Sequence, residues 1–182
     1  WIADHQLKKF RPAIESALRK GDYDYSLFRS YLACLDALDE RKNPDRVNEE
    51  FTLPLLKHPD TPDSLRAHVL RYLPGGHKAL TRGQLTTWLK SKEQTLQHEA
   101  VWKMRYLSDD FTSNTISTIA RDEKYDLQLR LTAVAAMGLG DSPDTEVLMQ
   151  IATGKNVSLR DESLRSLIGA HLESNDQGRL TK

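Results

Sequence analysis

One arrangement of apolar positions returns five times along the chain. It begins at a leucine, then places a small or apolar residue four positions on, leucine or valine five on, and leucine or methionine eight on. Those offsets share one face of a helix. The copies run Leu27, Tyr31, Leu32, Leu35; Leu65, Val69, Leu70, Leu73; Leu96, Ala100, Val101, Met104; Leu129, Ala133, Val134, Met137; and Leu159, Ser163, Leu164, Leu167, with anchors 38, 31, 33 and 30 residues apart. Arg-Tyr-Leu occurs at 71–73 and again at 105–107, so the third copy also fits a register displaced by three residues, which keeps the same face. The pattern predicts helices near 26–39, 62–73, 94–107, 126–139 and 157–172.

Partner helices are predicted between them, near 12–19, 45–57, 82–90, 111–121 and 143–153. Each has its own stripe, such as Phe51, Leu55 and Leu56, or Leu85, Trp88 and Leu89, or Ile116, Ile119 and Ala120, or Val147, Leu148 and Ile151. Thr61-Pro62 and Ser142-Pro143 read as hydroxyl caps followed by a first-turn proline, and Thr81 with Gln84 reads as a capping box. Gly21, Gly140 and Gly154 stand where a left-handed residue closes a helix, and Pro74-Gly75-Gly76 is a stop. Trp1 to Phe10 read as the end of a helix whose beginning is missing, which predicts a piece of a longer protein. No segment alternates with the period of two that a half-buried strand requires.

About ten short helices in pairs of 30 to 40 residues cannot bury their stripes singly, so the expected fold is all-α with the pairs stacked on one continuous core through residues 1–182. The run Leu129-Arg130-Leu131-Thr132-Ala133-Val134-Ala135-Ala136-Met137-Gly138, with Leu65-Arg66-Ala67 and Leu159-Arg160, resembles the second helices of HEAT and armadillo repeats, nearest the short-repeat bacterial HEAT variety. In that family an aspartate before the second helix bonds the arginine, and Asp60 with Arg66 has the spacing. Gln97 replaces the arginine in the third copy, while Lys124 and Gly154 replace the aspartate in the last two. The resemblance implies a right-handed α-solenoid of about five antiparallel helix pairs, acting as a protein-interaction scaffold or spacer with the second helices lining a concave face. A weaker similarity is to helical-repeat portions of large secreted bacterial proteins that also carry a propeller and a c-type haem domain, whose redox chemistry would lie outside this chain.

Lys plus Arg and Asp plus Glu each total 26, so the whole chain is not built to coat a polyanion. The balance is uneven along its length. Residues 57–105 hold nine basic and four acidic side chains and four of the six histidines, whereas residues 109–182 hold eight basic and twelve acidic. Lys90, Lys92, Lys103 and Arg105, with Trp102 and Tyr106, form a candidate strip where phosphate contact and base stacking would meet. This strip supports an alternative reading, a DNA-binding HEAT-like protein of the alkylpurine glycosylase type, with Glu99 as the only acid placed beside Trp102. For the scaffold reading the same surface, with Arg71 added, supplies aromatic and arginine hot spots for a protein or a neighbouring domain.

Other chemistry finds little support. The lone Cys34 excludes an internal disulfide and reads as a small buried residue on the first second-helix, in a chain compatible with either a cytosolic or an exported protein. His58, His68, His77 and His98 include no i, i+4 pair, and Asp109-Asp110 reads as the acidic start of a helix. Asn156-Val157-Ser158 is a formal glycosylation acceptor. No nucleophile elbow, phosphate loop, dinucleotide fingerprint or haem motif occurs, so no catalytic residue, cofactor or metal is expected. No apolar run reaches the roughly 18 to 20 residues of a membrane span.

Overall fold

A computed structural model describes residues 7–40, 49–140 and 143–170. The first six residues, the start of the 45–57 helix, Ser142 and residues 171–172 lie outside the described residues. Within them the chain is all-helical. After a 3-10 turn at Lys8–Phe10 come α1 (Arg11–Lys20), α2 (Tyr25–Leu38), α3 (Glu49–Lys57), α4 (Asp63–Tyr72), α5 (Arg82–Trp88), α6 (Gln94–Met104), α7 (Asp110–Arg121), α8 (Leu127–Gly138), α9 (Thr145–Ala152) and α10 (Val157–Gly169). The helices group into two compact units that meet in sequence between Pro74 and Gly75, the first holding α1 to α4 and the second α5 to α10.

Short polar side chains start most of these helices. Asp24, Asp109, Asp126, Asp144 and Asn156 each accept from the backbone N–H three residues on, at 2.8 to 3.1 Å. Each removes one of the four orphan donors that open a helix. Thr81 and Gln84 close a reciprocal capping box. The two expected hydroxyl-proline caps are corrected. Thr61 is buried and makes no cap bond while Pro62 itself stands at the N-cap of α4, and Pro143 precedes the true cap of α9, Asp144. Gly21 closes α1 at φ 71°, but α8 and α9 close on Leu139 and Thr153 with negative φ, so Gly140 and Gly154 have no left-handed role.

In the first unit α1 packs with α2 and α3 with α4. The expected first stripe is rotated by one residue. Phe28, Leu32, Leu35 and Leu38 are buried, while Leu27 is 41% exposed and Tyr31 is half-buried. Phe28 takes the inward position because its ring meets His68 (5.6 Å between centroids) and Tyr72 (5.9 Å) on α4, a larger contact than a leucine could make. Cys34, expected inside, is half-buried.

In the second unit α5 packs with α6, α7 with α8 and α9 with α10, and the even-numbered helices also pack in series, α6 on α8 and α8 on α10. All four positions of the third and fourth copies are buried, which selects the register anchored at Leu96. The α8–α10 seam is close. A Cβ added at Gly138 would lie 2.4 Å from Ser166 Cβ, and Ser166 Oγ donates to the Val134 carbonyl at 3.3 Å.

After the second, third and fourth anchors, the next residue ties its pair together. Arg66 donates to the carbonyls of His58 (2.8 Å) and Pro59 (2.9 Å) just past α3, Gln97 to Ser91 (2.6 Å) just past α5, and Arg130 to Ala120 (3.1 Å) at the end of α7. The expected Asp60–Arg66 bond is replaced by this reach to backbone, with the other nitrogen of Arg66 on Asp63 at 2.5 Å. Gln97 thus performs the arginine's task with a neutral amide.

Gly138→Ala should destabilise the chain by about 1–3 kcal/mol in urea denaturation, because the new methyl overpacks a seam that is already in contact. Gly83→Ala, where a Cβ meets nothing within 4 Å inside α5, should instead stabilise it by up to about 1 kcal/mol. Equal effects at the two positions would contradict the close approach.

Candidate partner-binding site

The sequence places six of its seven candidate residues between 90 and 106, on α6 or beside its ends. Lys90 and Lys92 lie between α5 and α6 and are exposed. Trp102, Arg105 and Tyr106 lie at the other end of α6, and the eight helical residues from Gln94 to Val101 separate the two groups by about 12 Å of axial rise. The exposed lysines and the aromatic–arginine group thus stand at opposite ends of α6. The strip's central member also turns inward: Lys103 is only 6% exposed. Its position, seven residues past Leu96 and three past Ala100, is on the buried stripe. Burial lowers the pKa of its ammonium below the usual 10.5, Glu99 one turn earlier opposes that shift, and Arg105 adds to it. Glu99 is thus the electrostatic companion of a buried lysine. Arg71, the seventh candidate, belongs to the first unit, where its guanidinium sits 4.6 Å from the ring centroid of Tyr25.

What α6 does assemble is an arginine held between two rings. The guanidinium of Arg105 lies 4.0 Å from the ring centroid of Trp102, one turn earlier, and 4.4 Å from that of Tyr106, and it donates to the Tyr106 hydroxyl. Its Nε is shielded from solvent with no hydrogen-bond partner among the described residues. Tyr106 is 37% exposed, and its ring lies flat enough against the backbone at Gly75 that a Cβ there would come within 2.2 Å of Cζ. Each ring restricts the guanidinium, so its charge is presented in a fixed place at the surface.

A second stacked arginine was not legible in the sequence. Arg82, on the first turn of α5, lies 5.0 Å from the ring centroid of Phe111 and 3.7 Å from the carboxylate of Asp109. Asp109 accepts from the hydroxyl and the amide of Thr112, and these bonds, with Arg82, hold its pKa below the ordinary carboxylate value. The Asp109-Asp110 pair thus serves to start α7 and to anchor Arg82. Nothing in the separation of residues 82 and 111 signals the pairing beforehand. In the first unit, likewise, Tyr23, Tyr25, Phe28, Tyr72 and His68 form a ring cluster that a leucine-based pattern does not see.

A cavity of about 130 Å³ lies beside the end of α6, lined by Met104, Asp109, Thr112, Ser117, Met137 and Asp144 among others. Ser117 donates to Asp144 at 3.1 Å, so its hydroxyl links α7 to the cap of α9. The four central histidines are each engaged locally. His58 and His77 accept from backbone N–H groups, His68 Nε2 is 2.8 Å from the Tyr23 carbonyl and His98 Nδ1 is 2.7 Å from Thr132 Oγ1. Among the described residues no group of three or more His, Cys, Asp or Glu is placed to hold a metal, and no helix is long and apolar enough to cross a membrane. Asn156 spends its side chain on the cap of α10. No family model, no curated protein and no solved structure matches the chain.

His98 ties α6 to α8 and gives the second unit a pH dependence. The Thr132 hydroxyl donates to the Gln128 carbonyl at 3.1 Å, so it accepts from Nδ1–H of His98. Burial lowers the His98 pKa below its usual 6.5, with Asp126 opposing. A folded pKa below the unfolded one means stability that is complete above the unfolded value and is lost as pH falls below it through the folded one. Urea denaturation at pH 7.5 and pH 5 should show a loss of stability in the wild type that shrinks in His98→Gln, which keeps a donor and cannot titrate. An unchanged pH dependence in the variant would remove His98 as its source.

Proposed function

We propose that this chain is a HEAT-type helical-repeat module that binds a protein or a neighbouring domain, the pairs within each unit being antiparallel turns of a right-handed α-solenoid. The observation that carries the proposal is Arg105 fixed between Trp102 and Tyr106. Tryptophan, tyrosine and arginine dominate binding hot spots because they bury large area at small entropic loss, and a guanidinium already immobilised loses little more on binding. The serial packing of α6, α8 and α10 in one register supports the repeat reading. The recurring back-bonds of Arg66, Gln97 and Arg130 support it as well.

Less supports a DNA-binding protein of the alkylpurine glycosylase type. With Lys103 inside, its strip retains Lys90 and Lys92 at one end of α6 and Arg105 at the other. Glu99, the acid beside Trp102, is engaged with Lys103.

Affinity capture from a cell extract, read by quantitative mass spectrometry, separates these readings. Proteins retained by the wild type should be lost, at about tenfold or more weaker affinity, with Arg105→Ala and Trp102→Ala, and kept with the Lys90→Ala/Lys92→Ala pair. An identical retained set in Arg105→Ala would remove the proposed hot spot. Salt-steep binding to a DNA duplex that is abolished by the lysine pair would favour the nucleic-acid reading instead.

A further inference from the structure

Two arginines of the second unit lie on aromatic rings among the described residues, and they differ in one respect. Arg82 rests on Phe111 and has a carboxylate of its own, Asp109, at 3.7 Å. Arg105 has two rings, Trp102 and Tyr106, but no carboxylate among the described residues within ion-pair distance. The acids in its neighbourhood are spent elsewhere. Glu99 serves Lys103, Asp109 accepts from Thr112, and Asp144 accepts from the Ser117 hydroxyl and the Val147 amide.

The Arg105 guanidinium is thus fixed in place with its charge uncompensated. Nη2 donates to the Tyr106 hydroxyl and Nε is shielded, which leaves the Nη1 edge without a partner among the described residues. The Tyr106 hydroxyl, having accepted from Nη2, keeps its own proton to donate. The Tyr106 ring cannot move toward the chain at Gly75, where even a Cβ would meet it at 2.2 Å, and its outer side is 37% exposed. A guanidinium edge beside a phenol proton offers donors to two neighbouring acceptors. The two oxygens of a carboxylate have that spacing and supply the missing charge.

We propose that Arg105 and Tyr106 together receive one carboxylate of the partner, an aspartate or glutamate side chain of an acidic peptide segment, with one oxygen on the guanidinium and the other on the phenol. This inference rests on the partner-binding reading of the same residues and names the chemistry recognised. Arg82 with Asp109 is the same recognition completed inside the chain. The surroundings limit the site to a single negative charge. Asp109, Asp110 and Asp144 line the cavity that Arg105 also borders, so a phosphate dianion or a nucleic-acid strand would bring charge that these acids oppose.

The test titrates the end-capped tripeptide acetyl-Leu-Glu-Leu-amide into the full chain labelled with nitrogen-15, following the Arg105 Nε–H and Trp102 indole N–H resonances. Both should shift saturably, with a Kd of about 1 mM for so small a probe. The peptide with glutamine in place of glutamate should bind about tenfold more weakly or worse. Tyr106→Phe keeps the ring against Gly75 and loses only the hydroxyl, and should weaken the glutamate peptide about fivefold. Arg105→Lys keeps the charge without the fork and, read by the indole, should weaken it about tenfold. No saturable shift up to about 20 mM peptide overturns the proposal, as does equal binding of the glutamine peptide. Tighter binding of the corresponding phosphoserine peptide, or of a DNA duplex at the same resonances, overturns it in favour of a phosphate. If the peptide fails while proteins captured from extract still depend on Arg105, this inference falls and the hot spot stands. If neither depends on Arg105, both fall.

Discussion

Short helices consist mostly of ends, and the satisfaction of those ends governs this structure. The α-helices here run from seven to fourteen residues. Each leaves up to four donors and four acceptors without an internal partner, and helices of this length do not persist alone in water. Donors are met by carboxylate, amide and hydroxyl caps immediately before seven of the helices, α2 and α5 to α10. The backbone at or just past the far end of a first helix is met from the next helix, through Arg66 after α3, Gln97 after α5 and Arg130 at the end of α7. A first helix is therefore finished only when its second helix is in place. That makes the pair, more than the helix, the smallest part with a reason to fold.

The positions of the helices were legible because a period of 3.6 survives degeneracy in the residues that carry it. The failures arose where residue type was read in place of position. Lys103 reads as exposed by residue type, although its offsets from Leu96 and Ala100 put it on the buried stripe. Leu27 was assigned inside because it is a leucine, although Phe28 fills the space better. Thr61-Pro62 looked like a cap pair, yet the helix began one residue later, since proline's extended backbone served as the cap residue itself. The Arg66 contact was foreseen as an ion pair with Asp60 because carbonyl oxygens, the acceptors it uses, leave no trace in a sequence.

The site divides in the same way. Trp102 lies one helical turn before Arg105 and Tyr106, so its proximity to both follows from local geometry. The pairing of Arg82 with Phe111 and Asp109 depends on how α5 and α7 are placed, which no local rule supplies. Burial of Lys103 changes the electrostatics of this end of the unit. At the end of α6 the guanidinium of Arg105 is displayed beside aromatic surface, while Lys103 two residues earlier is buried.

The seam between α8 and α10 has a consequence for how this sequence can vary. Gly138, Ser163 and Ser166 are there because the backbones approach closely, and two of the three use hydroxyls on carbonyls of the facing helices. Volume cannot be added on that side, and a lost hydroxyl removes a hydrogen bond between helices. The opposite side of α10, with Val157, Leu164 and Ile168, has no such ceiling on size. One helix thus carries two different regimes of mutational drift, a frozen inner edge and a permissive outer one. New binding partners can be acquired on the permissive edge without disturbing the fold that holds it.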